Sequence, residues 1–329
     1  MTFLHMALSL LLTALQLALV LFVAPLLNGL RLSLSARMAG AGAQPILRHW
    51  FLISRAWKIA PVIHETDGPT LIEQFLPAYI GPLSFAAALC AALLVPAFSF
   101  GLLTDSWADL LLVGMLLFAA RLCGLLPALT QTAETATSAY RQAVATALIL
   151  PSLFLVAVLL FSAGATTNLA IVLGGLSHGN PLADGAPFVL GGVALLAAVD
   201  PLPKAETGEQ GSNDALRMVA GDLVALTWLT LAGDLMWPGS LARVGESQTL
   251  LAGVGAFFMG VLCWLLRCIL LATVISAGRA LAIGPIAAAR LRGAAALLMA
   301  LLALQLLTAA RLTPPADPEA AAVDEGGAP

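Results

Sequence analysis

Four ionisable residues stand inside long apolar runs of this chain: Arg121, Asp222, Asp234 and Arg267. A charge surrounded by hydrocarbon is expensive, so a partner or a task must hold it there. An arginine beside a carboxylate serves two kinds of chemistry. It locks helices together as a buried ion pair, or it sets a carboxylate's proton affinity within a proton path. Helical depth puts Arg121, Asp222 and Arg267 in one half of the apolar layer, where a single Arg–Asp cluster joining three helices is expected. Asp234, beside Trp237 and Pro238, is expected to reach interfacial water. Asp222 and Asp234 stand about 120° apart around a helix, so no direct relay between them is expected without water.

Other chemistry is sparse. Cys90, Cys123, Cys263 and Cys268 lie in apolar runs, form no C-x-x-C pair and read as small buried hydrophobes. His5, His49, His64 and His178 are scattered, with no H-E-x-x-H or similar cluster. The expectation is therefore no haem, iron–sulfur cluster or zinc bound by this chain. Nothing points to nucleic acid.

The elements that must position the four charges follow from composition. Sixty percent of the residues are hydrophobic and 10% are charged. Mean hydropathy is +0.97. A soluble domain carries roughly 25% charged residues, so lipid must cover much of this chain. A spanning helix needs about 20 mainly apolar residues. Eight segments meet or approach that length, at 4–29, 77–99, 107–127, 142–163, 185–199, 215–237, 250–275 and 291–310. The expected fold is an all-α, polytopic membrane helix bundle of about eight transmembrane helices over residues 1–311, with a cytoplasmic loop at 31–67 and a disordered tail at 312–329. The fifth segment is short and glycine-rich, and an apolar piece from Asn168 to Leu176 reads as a re-entrant or interfacial turn. The first run lacks a basic leader and is too long for a cleavable signal, so it reads as a retained helix.

Loop charges orient the bundle. Arg31, Arg37, Arg48, Arg55 and Lys58 follow the first helix. Arg121 and Arg141 flank the third loop, Lys204 and Arg217 the fifth, and Arg279, Arg290 and Arg292 the seventh. The alternate loops carry only Arg243 and Arg311. Basic residues collect on the cytoplasmic side, so both termini are expected on the outer side of a bacterial inner membrane. No fixed-period repeat is visible, and the inverted halves of many transporters are not apparent.

Within the first loop, PILRHWFLISRAWKI has helical period. Arg48, Arg55 and Lys58 fall on one side, with Ile46, Trp50, Ile53 and Trp57 opposite. A basic face against a tryptophan face suits a helix lying in the membrane interface. It reads either as a connecting helix or as a docking surface for a soluble partner or lipid headgroups. The fifth loop, DPLPKAETGEQGSND, sets Asp200, Glu206, Glu209 and Asp214 against Lys204 and reads plainly as a solvated acidic loop.

Residues 21–62 carry a resemblance. Ala24, Pro25, Leu26 and Gly29, then Ala36, Arg37, Gly40, Gly42, Gln44, Pro45 and Lys58, resemble the start of the NADH dehydrogenase subunit 1 family. The closer likeness is to the branch containing formate hydrogenlyase subunit 4 and related membrane-bound hydrogenase subunits. The family's arginine between the two glycines is Ala41 here, its tyrosine is Ile46, and its nearby acid is replaced around His49. Ser138 to Gln142 stands where an S-R-E element is usual, so its acid is an amide. Ile275 or Ser276 stands where a glutamate is common. LTWLTLAGDLMWP also resembles a familial helix.

The resemblance implies a membrane-anchor subunit of a hydrogenase-like or complex-I-like oxidoreductase complex. Its first loop, through Arg31, Arg37, Gly40, Gly42, Gln44, Pro45, Arg48, Arg55 and Lys58, would dock a soluble redox arm. The implied partners are hydrogenase-like large and small subunits and antiporter-like membrane subunits. In the family the fifth loop lines a quinone chamber or faces the hydrogenase arm, so quinone binding stays open. Arg121, Arg141, Glu206, Glu209, Asp214, Asp222 and Arg267 are the candidates for a proton path or buried ion pairs. Two further functions stand beside this one: a stand-alone secondary transporter, and a scaffold that assembles partners without moving protons.

Overall fold

The computed structural model describes residues 2–40, 42, 44–58, 71–100, 103–129, 166–176, 212–243 and 250–281, with isolated positions 137, 140, 143, 189, 192, 193, 195, 196, 294, 297 and 301. Among the described residues there are seven α-helices: α1 (Thr2–Met38), α2 (Arg48–Lys58), α3 (Leu71–Leu94), α4 (Leu110–Leu129), α5 (Leu169–Leu176), α6 (Ser212–Met236) and α7 (Leu250–Leu281). Two short strands, β1 (Ser99–Phe100) and β2 (Ala242–Arg243), pair in parallel, Ser99 opposite Ala242.

The chain forms a membrane helix bundle. Ser9–Met38, Asn213–Met236 and Gly255–Gly278 are long and apolar enough to cross a bilayer, and Tyr79–Leu94 and Leu110–Leu126 are shorter apolar helices. These five segments correspond to the first, sixth, seventh, second and third expected spans. The fourth, fifth and eighth expected spans are described only at isolated positions, and the tail at 312–329 lies outside the described residues.

Helix α6 is the axis. Every residue from Asp222 to Leu235 is buried, and α1, α2, α3, α4 and α7 all touch α6. Its neighbours cover that stretch on every side, so its apolar residues stand all round the helix rather than along one stripe. Helix α7 is two-sided. Trp264, Cys268 and Leu271 face inward, while Phe258, Leu262, Leu266 and Leu270 are exposed. An outer face of this kind belongs in lipid. Cys268 is the buried cysteine, while Cys90 faces outward.

Helix α1 runs past the expected end at residue 29. Arg31 to Met38 continues the helix as its last turns and is not part of the loop. The apolar run ends near Leu30, but the backbone ladder continues until Gly40. Gly40 adopts φ 73°, the left-handed conformation that terminates helices and favours glycine. Pro25 lies inside α1 and removes one ladder bond there.

The two ends of the bundle differ. At one end β1, β2 and the starts of α4 and α5 gather. Leu110 donates to the Thr167 carbonyl at 3.1 Å, and Leu169 donates to that of Ala108 at 2.7 Å. Asp109 Oδ1 accepts from the Leu111 amide at 2.7 Å. Asn168 Oδ1 accepts from the Ile171 amide at 3.2 Å, capping α5. The eight described residues of α5 reach about 12 Å, less than the thickness of a bilayer's hydrocarbon core. At the other end α2 lies against α1 and α6. Inside the bundle, Gln16 on α1 donates to the Val95 carbonyl at 3.0 Å, and Ser84 on α3 donates to that of Ala120 at 2.8 Å.

Candidate functional site

Helix α2 begins after a turn in which Arg48 donates to the Pro45 carbonyl at 2.9 Å. It buries three side chains, His49, Ile53 and Ala56. Their spacing, i, i+4, i+7, is one helical face. Ile53 and Ala56 rest on Ala215, Met218 and Val219 at the start of α6. Trp50 meets Phe22 of α1 edge-to-face, with ring centroids 5.5 Å apart. Phe22 is itself exposed on the bundle wall, so the Trp50 edge of α2 leans toward lipid. Arg48, Leu52 and Arg55 are exposed on the opposite edge, with Phe51 and Lys58 beside them.

This helix is therefore three-sided, where the sequence suggests two faces. Arginine and tryptophan edges oppose each other as the spacing implies. Ile53 belongs to neither: it joins His49 and Ala56 on the buried side, because the helix has the bundle as well as lipid to cover it.

His49 completes a buried polar node. Its Nε2 lies 2.8 Å from Asp222 Oδ2. Asn28 Nδ2 donates to Asp222 Oδ1 at 2.7 Å and lies 3.3 Å from His49 Nε2. An ionised carboxylate only accepts, so with Asp222 ionised the bond runs from His49 Nε2 to Oδ2. Both carboxylate oxygens are thus bonded, one from α1 and one from α2. Arg31 is 4% exposed, and its positive charge acts on Asp222. The Ser276 hydroxyl donates to the Ala272 carbonyl of its own helix at 2.7 Å and lies 3.5 Å from the Arg31 carbonyl, which brings α7 close to Arg31. Glycine 29 makes the approach of α2 possible, since a Cβ there would stand 2.1 Å from the Ile46 carbonyl oxygen.

Arg267 does not join Asp222 in the expected cluster. Arg267 instead pairs with Asp234, Nη2 to Oδ1, and its Nη1 donates to Ser240 Oγ at 2.8 Å. Asp234 is 0% exposed, so the expected contact with interfacial water is replaced by this ion pair. Two physical features explain the difference. Helical side chains lean toward the N-terminus of their helix, and the N-terminus of α7 is at the strand-bearing end, where Asp234 lies. Glycine 233 then leaves the path open: a Cβ on it would stand 2.6 Å from Arg267 Nε. Arg121 is half-buried on α4.

The remaining candidates are dispersed. Arg37 is exposed in the last turn of α1, and Gly40, Gly42, Gln44 and Pro45 form an exposed connection to α2. Asp214 belongs to the first turn of α6, paired with Arg217 at 3.0 Å. Arg217 also donates to the Gly124 carbonyl at 3.0 Å, tying α6 to α4. Arg141, Glu206 and Glu209 lie outside the described residues. Sequence reasoning missed His49 and Asn28 as site residues. Their signals were present: His49 shares a helical face with Ile53 and Ala56, and Asn28 is a lone amide just before Gly29 at the end of an apolar run.

No protein-family model matches the chain, and no curated protein matches it. Among solved structures it is similar to a chain in the structure of the membrane-bound sulfane sulfur reductase, an archaeal respiratory membrane complex. The TM-score is 0.63 at 16% sequence identity, over 91% of this chain and 99% of that one. At this identity the likeness is one of fold, and it extends over nearly the full length of both chains.

Proposed function

We propose that this chain is the membrane-anchor subunit of a respiratory oxidoreductase complex. In this reading the Arg37–Lys58 region docks the soluble redox arm, a pair of hydrogenase-like large and small subunits, while Arg31 is buried in α1, and the bundle adjoins antiporter-like membrane subunits. The observation that carries it is the end-to-end fold likeness to a chain of a respiratory membrane complex. The placement of α2 supports it: a helix held on the bundle by one face, leaning toward lipid on a second, and offering Arg48, Leu52 and Arg55 on a third. The loop charges favour an inner-membrane protein with α2 on the cytoplasmic side. Asp222 gives the bundle a carboxylate beneath the docking helix, a place from which the subunit would contribute to proton translocation.

Purification in mild detergent from the native host tests the reading. The expected result is co-isolation with a homologue of a nickel–iron-hydrogenase large subunit. Recovery of the chain alone, with transport activity in proteoliposomes, would replace this reading with that of a secondary transporter.

A further inference from the structure

We infer that His49 and Asp222 form a latch that sets the angle and rotation of α2 on the bundle, making His49 a positioning residue for the surface that α2 presents. Eleven residues make an isolated helix marginal in water, so α2 depends on what holds it. Of those residues only His49, Ile53 and Ala56 are buried. The contacts of Ile53 and Ala56 on Ala215, Met218 and Val219 are non-directional, and such contacts tolerate rotation and sliding. The hydrogen bond from His49 to Asp222 is directional. At 2.8 Å it fixes which face of α2 turns inward, and therefore that Arg48, Leu52 and Arg55 turn outward.

The acceptor's position makes this bond more than a surface contact. Asp222 is 1% exposed and sits on α6, which touches five other helices. Withdrawing His49 leaves a buried carboxylate oxygen without its donor, a penalty larger than that of losing an exposed hydrogen bond. The coupling is reciprocal by thermodynamic necessity. A partner that tilts α2 acts on Asp222, and a change at Asp222 acts on the face offered to the partner. Asn28 and Gly29 on α1 complete the seat, one by bonding the other carboxylate oxygen and one by admitting the Ile46 carbonyl.

The docking reading supplies only the purpose of the latch, and the two are separable by experiment. Amide hydrogen exchange on the full chain in detergent reads the latch with no partner present, whereas co-purification reads docking. In His49→Leu, exchange across residues 52–58 should rise about tenfold or more, while α3 and α7 change by less than about threefold. His49→Gln should return α2 to within about threefold of wild type, because the Gln amide can still donate to Asp222. Should His49→Leu fail to accumulate, His49→Asn, polar but too short to reach, takes its place with the same expectation. Unchanged α2 exchange in the broken-latch variant would overturn the inference. So would loosening spread evenly over α3, α6 and α7, or a Gln variant exchanging as fast as the Leu variant.

Discussion

Residue 29 of α1 and the carbonyl of Ile46 are so close that a single added carbon at Gly29 would lie 2.1 Å from the oxygen and 3.5 Å from His49 Cβ. The seat of α2 is therefore shaped by an absent side chain. In Gly29→Ala the backbone of the Pro45–Arg48 turn must retreat, since a carbonyl cannot rotate away as a flexible side chain would. Overpacking of this kind costs about 1–3 kcal/mol. The strain falls on α2, which has few buried residues, before it falls on the core. Limited trypsin digestion should cut faster after Arg48, Arg55 and Lys58 in the variant, with α6 and α7 unaffected. Cleavage at the wild-type rate would mean that the turn absorbs the methyl group without moving.

Asp222 is legible from the sequence as a buried carboxylate, because it interrupts an apolar run long enough to span lipid, whereas Asp234 reads as an interfacial one and is buried all the same. Their partners are not legible. Depth along a helix groups Arg267 with Asp222, but an arginine side chain reaches several ångströms toward its helix N-terminus, and Gly233 clears that route to Asp234. Such a gap is a property of two helices together. His49 shows the same limit from the other direction. Its helical face is readable from Ile53 and Ala56, yet its acceptor lies 173 positions away. Three helices long and apolar enough to span, and two shorter apolar ones, emerge near their expected places, since apolar length is what marks them in the sequence. The end of α1 does not, since Gly40 and not hydropathy ends it.

The Arg267–Asp234 pair yields a stability prediction with a sign test. Arg267 is 8% exposed and Asp234 0%. Removing one member of a buried pair leaves the other charge uncompensated, at about 3–5 kcal/mol. Arg267→Met should destabilise the bundle by that order. Arg267→Met combined with Asp234→Leu should recover most of the loss, because replacing both partners by apolar groups is often neutral. Reversible unfolding in mixed micelles with increasing SDS measures all three proteins. A double variant as unstable as the single one would show that the pair contributes more than mutual neutralisation.

Asp222 offers the sharpest test of a role in proton movement. Asp222→Asn preserves size and leaves one oxygen to accept from Asn28 or His49, so assembly should survive. If the carboxylate carries a proton during turnover, pumping by the assembled complex in proteoliposomes should fall by about 100-fold or more, the range of removing a positioned proton-transfer group. Electron transfer through the soluble arm would be less affected. Full pumping by an intact Asp222→Asn complex would remove Asp222 from any proton path and leave it the structural role of holding His49 and Asn28.

The outward edge of α2 carries the docking prediction. Arg48 and Arg55 are exposed one helical face away from the buried residues, with Leu52 between them and Arg37 exposed at the end of α1. A basic rim around an apolar centre suits a protein surface with acidic groups, and rim charges act mainly on association and its salt dependence. Arg37→Ala should therefore reduce recovery of the soluble arm modestly. The double charge reversal Arg48→Glu and Arg55→Glu should reduce it by about tenfold or more, since like charges set against each other cost several kcal/mol. Neither change touches His49, Ile53 or Ala56, so the bundle and the exchange protection of α2 should stay as in wild type. Quantifying the arm against this chain after one affinity step, at low and at high salt, separates the outcomes. Loss of the arm that grows with salt in the wild type and is complete in the double reversal fits an electrostatic dock. Equal recovery from all three proteins would move the docking surface off α2 altogether.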